Sequence, residues 1–437
     1  MTLKGIFRDK VKNFAALLVF IPVIRILNFK DDILESYKYI SPDGLDWIIQ
    51  GRIFGTDGVV IPVLRNPGYV FVSKIDWLLG AHGFSFAIAS FLGLFLQFFV
   101  LIETMKSHGI NTRMQYVGVL LYYLTFVHFI ALYILPDGIA VGLICFGLHI
   151  CFRGLHTNQP SKWHIGLVAS IAATTFQIYA FSIFICLMLG IFFSDVSSKI
   201  KIRRYVDVTV ATLISLLIIR AWRDWNTHLT VPSQISLLKN SFDMFPFYGH
   251  TLTLAFLPLF IVSILAVCLQ KVKFNLSIFQ KLSILIGIFL ITLALFYQWP
   301  ESRFIYTGVG LIYISVLPVV LKTIDSNMNP KKNRLIVVRA SRLTLVATAL
   351  LLFSFGPANP WQPRLDQLEM GRTWPIEVLY DYSNNTKSSY RSVIKELKDD
   401  CFNNDSMTEK SVTIAKYTLS EYQVSQLDLF AAYCLFK

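Results

Sequence analysis

An all-α polytopic membrane protein with about eleven crossings is predicted from three observations. Hydrophobic residues make up 54% of the 437 and charged residues only 15%, with a mean hydropathy of +0.56; an ordinary soluble domain carries roughly 25% charged residues. Apolar runs of membrane length recur along the chain. Lysines and arginines collect in the short connections on one side of those runs. The formal charge of +13 does not point to nucleic acid, because the basic residues form no interleaved basic and aromatic face.

The apolar runs are Phe14–Leu27, Gly83–Ile102, Tyr116–Leu135, Gly138–Phe152, Ile165–Thr175, Tyr179–Phe193, Val206–Ile219, Thr251–Leu269, Leu282–Trp299, Phe304–Leu321 and Leu343–Phe355. The first has the basic flank of a signal peptide, but Asn28, Phe29 and Lys30 follow it in place of a small-residue cleavage site. It reads as a signal anchor. The stretch from Ile165 to Phe193 is too long for one straight helix, and polar Gln177 at its centre marks a turn or break. Counting it as two crossings puts the clusters at Lys4–Lys12, Lys106–Arg113, Arg153–Lys162, Lys199–Arg204, Lys271–Lys281 and Lys322–Arg342 on one side. That side is predicted to be cytoplasmic, with the N-terminus inside and the C-terminus outside.

Two domains follow: a transmembrane domain over 1–355, whose first outer loop spans 28–82, and a polar tail over 356–437 that reads as a small α+β extracytoplasmic domain. A second large outer loop is expected over Arg220–His250. Cys145, Cys151, Cys186 and Cys268 fall in apolar runs and read as core residues. Cys401 and Cys434 lie in the tail, where an oxidising compartment would let them pair. Walker, HExxH, GxSxG and CxxC patterns are absent. The GVG at Gly308–Gly310 sits inside an apolar run, where close helix packing explains it.

The stretch SPDGLDWIIQGRIFGTDG, Ser41–Gly58, places Asp43, Asp46 and Asp57 in the first outer loop. Leu45, Ile48, Ile49 and Ile53 repeat at helical spacing, so amphipathic helices lying along the membrane surface are expected there, with Trp47 in the interfacial layer. Asp43 would then also serve the helix N-terminus. Asp57, in GTDG, reads as a turn residue.

The spacing Asp43, Trp47, Gly51, Phe54 resembles the pattern of acid, aromatic, small and apolar residue that opens the first outer loop of GT-C type glycosyltransferases, the relatives of protein mannosyltransferases and aminoarabinose transferases. RNPGYVFVSKI, Arg65–Ile75, is similar to their arginine, proline, tyrosine stretch. ILPDGIAVGLICFGLHICFRG resembles their third outer turn and the helix after it, and WPESRFIYTGVGLIYISVLPVVL their late segment. The pattern spans most of Phe14–Leu321, and the tail has no counterpart. Gly44 stands where many relatives have a second acid, and Trp47 where they have tyrosine, which leaves Asp43 and Asp46 both as candidates for the base.

The resemblance implies an integral-membrane transferase that moves a sugar from a polyprenyl phosphate to a glycan, lipid or protein acceptor of the cell envelope, inverting the anomeric centre. The chemistry needs a base for the acceptor hydroxyl, and a carboxylate at the lipid–water boundary supplies one. Asp43 is the first choice and Asp46 the second. The leaving phosphate needs guanidinium donors, for which Arg65 and Arg303 are placed; interfacial snorkelling is the plainer role for either. Tyr69 and Tyr306 belong to the matched stretches, and Gln177 and Tyr179 sit at an outer turn within reach of sugar or phosphate. Asp137, after Pro136, reads as a helix N-cap, Arg223 and Asp224 as a solvated ion pair, and His128 and His149 as interhelical hydrogen-bonding residues. No protein-bound metal and no cofactor is expected, with a divalent ion on the lipid phosphate left open. The expected partners are the lipid-linked sugar, its acceptor and membrane lipids, in a bacterial inner membrane. Two other classes remain: a transporter or flippase of lipid-linked sugars, and a surface-polysaccharide polymerase or acyltransferase, the last using His128.

Overall fold

The computed structural model describes residues 9–27, 66–123, 136–225, 276–295 and 302–327, with positions 47, 48, 50, 51, 54, 256–264 and 266. Among these the helices are α1 Lys10–Val23, α2 Pro67–Leu78, α3 Phe84–Ser107, α4 Thr112–Tyr123, α5 Asp137–His156, α6 Pro160–Phe176, α7 Ser182–Phe192, α8 Ser198–Trp225, α9 Ile278–Leu295 and α10 Ser302–Asn327. Residues 256–264 are also helical. Among the described residues four spans are long and apolar enough to cross a membrane: α3, α5, Ser198–Trp222 of α8 and Thr307–Ser326 of α10. This is a multi-pass helical membrane fold. The predicted first outer loop as far as Arg65, apart from positions 47, 48, 50, 51 and 54, and the chain after Asn327, with Cys401 and Cys434, lie outside the described residues, as do His128 and Cys268.

α5 is the hub, packed by α3 on one side and α6 on the other, with α9 and α10 pairing beside it. Small residues set those contacts. A Cβ on Gly142 would lie 2.2 Å from Gly93 O, and one on Gly166 would lie 2.8 Å from Gly147 O. Gly308 meets Gly287 with 2.4 Å between its would-be Cβ and the facing carbonyl oxygen. The expected close packing at the GVG is therefore present. In lipid no hydrophobic driving force pulls helices together, so backbone approach at such glycines supplies the dispersion contact. α8 differs. Only 28% of its apolar window is buried, against 72% for α3 and 78% for α5. Ile202, Val206, Val210, Leu213 and Leu217 form its exposed stripe, the surface a helix turns to acyl chains.

Local chemistry fixes the helix ends. Asp9 Oδ1 accepts from Val11 N at 3.1 Å and Lys12 N at 3.4 Å, capping α1. Burial pushes the Asp9 carboxyl up, but hydrogen bonding and charge from Lys106, with help from Lys12, outweigh it and hold it below the ordinary value. Glu103 joins the cluster, bonded to Lys12 at 2.7 Å and Arg153 at 3.0 Å, and so ties the basic ends of α1, α3 and α5 together. At the opposite end α2 turns tightly into α3 through Gly80 (φ 93°) and Gly83 (φ 82°). Asp76 stabilises that start by accepting from Gly83 N and Ser85 N, both at 3.0 Å.

Several expectations change. Helix α8 runs through Trp225, so Arg223 and Asp224 lie in a helix, not a loop, and the second outer loop starts later than Arg220. Trp47 is 3% exposed and packs edge-on against Tyr69, 5.4 Å between rings, so it is a core residue and not an interfacial anchor. The reason is Gly51: its missing side chain lets this segment settle on α2, where a Cβ would fall 2.3 Å from Ser73 Cβ, and Ser73 Oγ donates to Ile48 O at 3.1 Å. His149 meets α9 through ring contact with Phe279 at 5.3 Å, its Nε2 buried with no hydrogen-bond partner among the described residues, so the expected interhelical bond is absent at that atom. Cys145, Cys151 and Cys186 are buried thiols, as expected.

Candidate functional site

The break anticipated at Gln177 is real. α6 ends at Phe176, Gln177 is extended (φ −145°, ψ 134°), and a 3-10 turn, Ile178–Phe181, leads into α7. An extended residue at a helix end frees its side chain from the helical register, and here it turns to a neighbour. Gln177 Nε2 donates to Asp137 Oδ1 at 3.2 Å, and Tyr179 OH donates to the same oxygen at 3.0 Å. Asp137 is fully buried. It does not cap α5: Pro136 holds the N-cap position and no side-chain cap bond forms. The N-cap expectation is corrected on that point, because Asp137 is the first residue within the helix and its carboxylate points to partners forty residues on. Its charge still gains from the unpaired N–H groups and dipole at the start of α5.

A second polar layer supports this end. Gln97 Nε2 donates to Gly93 O and Gly138 O, each at 3.3 Å, and Tyr122 OH donates to Gln97 Oε1 at 2.6 Å. The close Gly93–Gly142 approach and this bridge together fix the first turn of α5, and hence Asp137, against α3.

α2 closes the other flank. Asn66 Nδ2 donates to Phe176 O at 3.3 Å, and a Cβ on Gly68 would lie 2.8 Å from Thr175 Oγ1, so the start of α2 rests directly on the α6 break. Tyr69, fully buried, packs between Trp47, Phe86 and Phe176 with ring separations of 5.4, 5.5 and 6.4 Å.

Of the residues singled out in the sequence, Tyr69, Gln177 and Tyr179 come together here. Arg303 and Tyr306 lie on the first turns of α10, their side chains outside the described residues. Asp43, Asp46 and Arg65 also lie outside them. Asp137 is the residue that sequence reasoning placed in the wrong role. Among the described residues no cluster of three or more His, Cys, Asp or Glu has the arrangement to hold a metal ion.

A carboxylate this buried takes no part in proton transfer with a bulky substrate unless the break opens. What the geometry does allow is orientation. Asp137 holds an amide and a phenol on a half-buried ledge, leaving the Gln177 amide oxygen available as an acceptor.

The class this fold defines is a polytopic helical membrane protein with the fold of ArnT, the one expected from the GT-C resemblance. In particular, the chain is similar to ArnT from Cupriavidus metallidurans bound to undecaprenyl phosphate, with a TM-score of 0.52 and 12% identity over 97% of this chain and 75% of that one. The apo state of the same protein matches with a TM-score of 0.49, again at 12% identity over 97% and 75% of the two chains. At this identity the likeness is one of fold. No protein-family model and no curated protein sequence matches the chain.

Proposed function

We propose that the protein is an integral-membrane glycosyltransferase that takes its sugar from a polyprenyl phosphate at the outer face of a bacterial inner membrane. The observation that carries the reading is the fold likeness, over 97% of this chain and 75% of the other, to a protein solved with undecaprenyl phosphate bound. The Asp137, Gln177 and Tyr179 ledge adds polar groups at the membrane end where the first loop, with its clustered acids, also belongs.

In this reading Asp43, or failing it Asp46, takes the proton of the acceptor hydroxyl as its oxygen bonds to the sugar's anomeric carbon. The bond from that carbon to the phosphate oxygen breaks in the same displacement, inverting the centre and leaving polyprenyl phosphate. Arg65 and Arg303 hold the phosphate through paired hydrogen bonds, and Tyr69, Tyr306, Gln177 and Tyr179 shape the sugar and lipid contacts. The acceptor is a cell-envelope glycan, lipid or protein. The N-terminus lies in the cytoplasm, eleven crossings make up 1–355, and 356–437 form an outer domain.

The test is transfer of labelled sugar from polyprenyl-phosphate donors to envelope acceptors in membranes carrying the wild type, Asp43→Asn or Asp46→Asn. One of the two variants is expected to lose transfer by at least about 100-fold while remaining folded. Full activity in both removes the proposed base.

A further inference from the structure

The ledge at the α6 break leaves one polar atom uncommitted, and the identity of that atom decides which part of a substrate it can meet. Gln177 Nε2 lies 3.2 Å from Asp137 Oδ1, and the Tyr179 hydroxyl lies 3.0 Å from the same oxygen. An oxygen on which both groups converge accepts from both, so the amide nitrogen, and not the amide oxygen, faces Asp137. The reverse placement would set two acceptor oxygens against each other at hydrogen-bond distance. Asp137 is fully buried, which leaves Gln177 Oε1 as the amide atom turned away from that contact. Among the described residues Oε1 accepts no hydrogen bond, yet it is not one of the enclosed polar atoms, and Gln177 itself is only half-buried. The oxygen is reachable and free to accept.

Tyr179 has the same polarity. Its one hydroxyl hydrogen is spent on Asp137, so toward any further partner the phenol oxygen is an acceptor. A single buried carboxylate thus draws the donors of both side chains inward, and Ile178 between them is 50% exposed. Such a surface suits a molecule that brings its own O–H groups and an apolar C–H face. A sugar ring has both. The oxygens of a phosphodiester only accept, and against Gln177 Oε1 they would leave two acceptors in contact with no hydrogen between them.

We propose that Gln177 is a specificity-determining residue that reads the sugar of the lipid-linked donor, its Oε1 accepting from a sugar hydroxyl, and that Asp137 is the positioning residue that fixes the amide in this polarity. The inference rests on the polyprenyl-phosphate donor proposed above and divides the work of holding it. The phosphate falls to guanidinium groups, and the ledge discriminates among sugars.

The experiment measures binding of undecaprenyl phosphate, and of a panel of undecaprenyl-phosphate-linked hexoses and pentoses, to the full-length protein in nanodiscs. No acceptor is present, so any gain from the sugar belongs to the donor. Wild type is expected to bind the best sugar-carrying lipid about tenfold tighter than undecaprenyl phosphate itself. Gln177→Met keeps the length of the side chain and removes the acceptor; it is expected to bind undecaprenyl phosphate within about twofold of wild type while the gain from the sugar disappears. Unchanged binding of undecaprenyl phosphate also reports that the variant is folded. Gln177→Glu, whose carboxyl shares one proton with Asp137 and keeps an outward oxygen, is expected to retain most of the gain. Four results overturn this inference and leave the donor standing: no gain in wild type, a gain that survives in Gln177→Met, an equal loss of both lipids in a Gln177→Met that melts like wild type, or loss of the gain in a folded Gln177→Glu. Failure of the wild type to bind undecaprenyl phosphate removes the donor itself, and the inference with it.

Discussion

Replacing Gly142 by alanine puts a methyl group into the narrowest part of the α3–α5 contact. The added carbon would lie 2.2 Å from Gly93 O and 2.7 Å from Gly93 Cα, and both are backbone atoms. Carbon and carbonyl oxygen pack at about 3.3 Å, so the helices must part by about 1 Å. Overpacking against backbone costs about 1–3 kcal/mol, and better helix propensity returns about 1 kcal/mol. The same shift carries the first turn of α5 away from its partners. The Gln97 bond to Gly138 O, now 3.3 Å, and the bonds from Gln177 and Tyr179 to Asp137, now 3.2 and 3.0 Å, would stretch to lengths at which little bonding remains. Each is worth about 1 kcal/mol. A net loss of about 3–5 kcal/mol is expected. Heating the detergent-purified protein with a thiol-reactive dye reads it directly, since Cys145, Cys151 and Cys186 are buried until the bundle opens. Leu217→Ala, on the lipid face at 63% exposure, is the control that should leave the midpoint nearly unmoved. If Gly142→Ala melts at or above the wild type, propensity has won and the close approach does not exist in the protein.

Tyr179→Phe removes the 3.0 Å donor and leaves buried Asp137 less well satisfied, so a loss of about 1–3 kcal/mol is expected in the same melt; an unchanged midpoint would mean that the phenol is not anchoring the break. Transfer activity is expected to fall with it, because Gln177 then loses its companion on the ledge. Asp9→Asn tests the basic end through pH. The folded carboxyl is held below its ordinary value of 3.8, so its contribution is fully present above that pH and is lost as pH falls through the lower folded value. The wild-type advantage over Asp9→Asn should therefore be the same at pH 7 and pH 5 and shrink only below 3.8; a gap that already closes between pH 7 and pH 5 contradicts the assignment.

Four of the crossings were legible because lipid demands length and apolarity in one continuous piece. α3 and α5 stand out in composition before any contact is known. The Gln177 break was legible for the complementary reason that a polar amide within a hydrophobic hairpin must find a partner. What that partner is could not be read, since Asp137 lies forty positions earlier and a proline–aspartate pair before a helix reads locally as a cap. The tertiary contact overrode the local rule by one residue: Pro136 took the cap position, and the carboxylate fell inside the first turn.

Trp47 shows the same asymmetry. An indole near a membrane end is ordinarily an interfacial anchor, and the sequence holds nothing in its own neighbourhood to say otherwise. Gly51 carries the decisive information, but only through what it permits, an approach to Ser73 that any side chain would block. Once that approach is made, Trp47 and Tyr69 are drawn into one aromatic group with Phe86 and Phe176. The short stretch around Trp47 and Gly51, α2, α3 and the α6 break are thereby held as a unit. A substitution at Gly51 should consequently disturb the ledge at Gln177 and Tyr179 without touching it, which is the behaviour expected of a site whose walls are supplied by elements far apart in sequence.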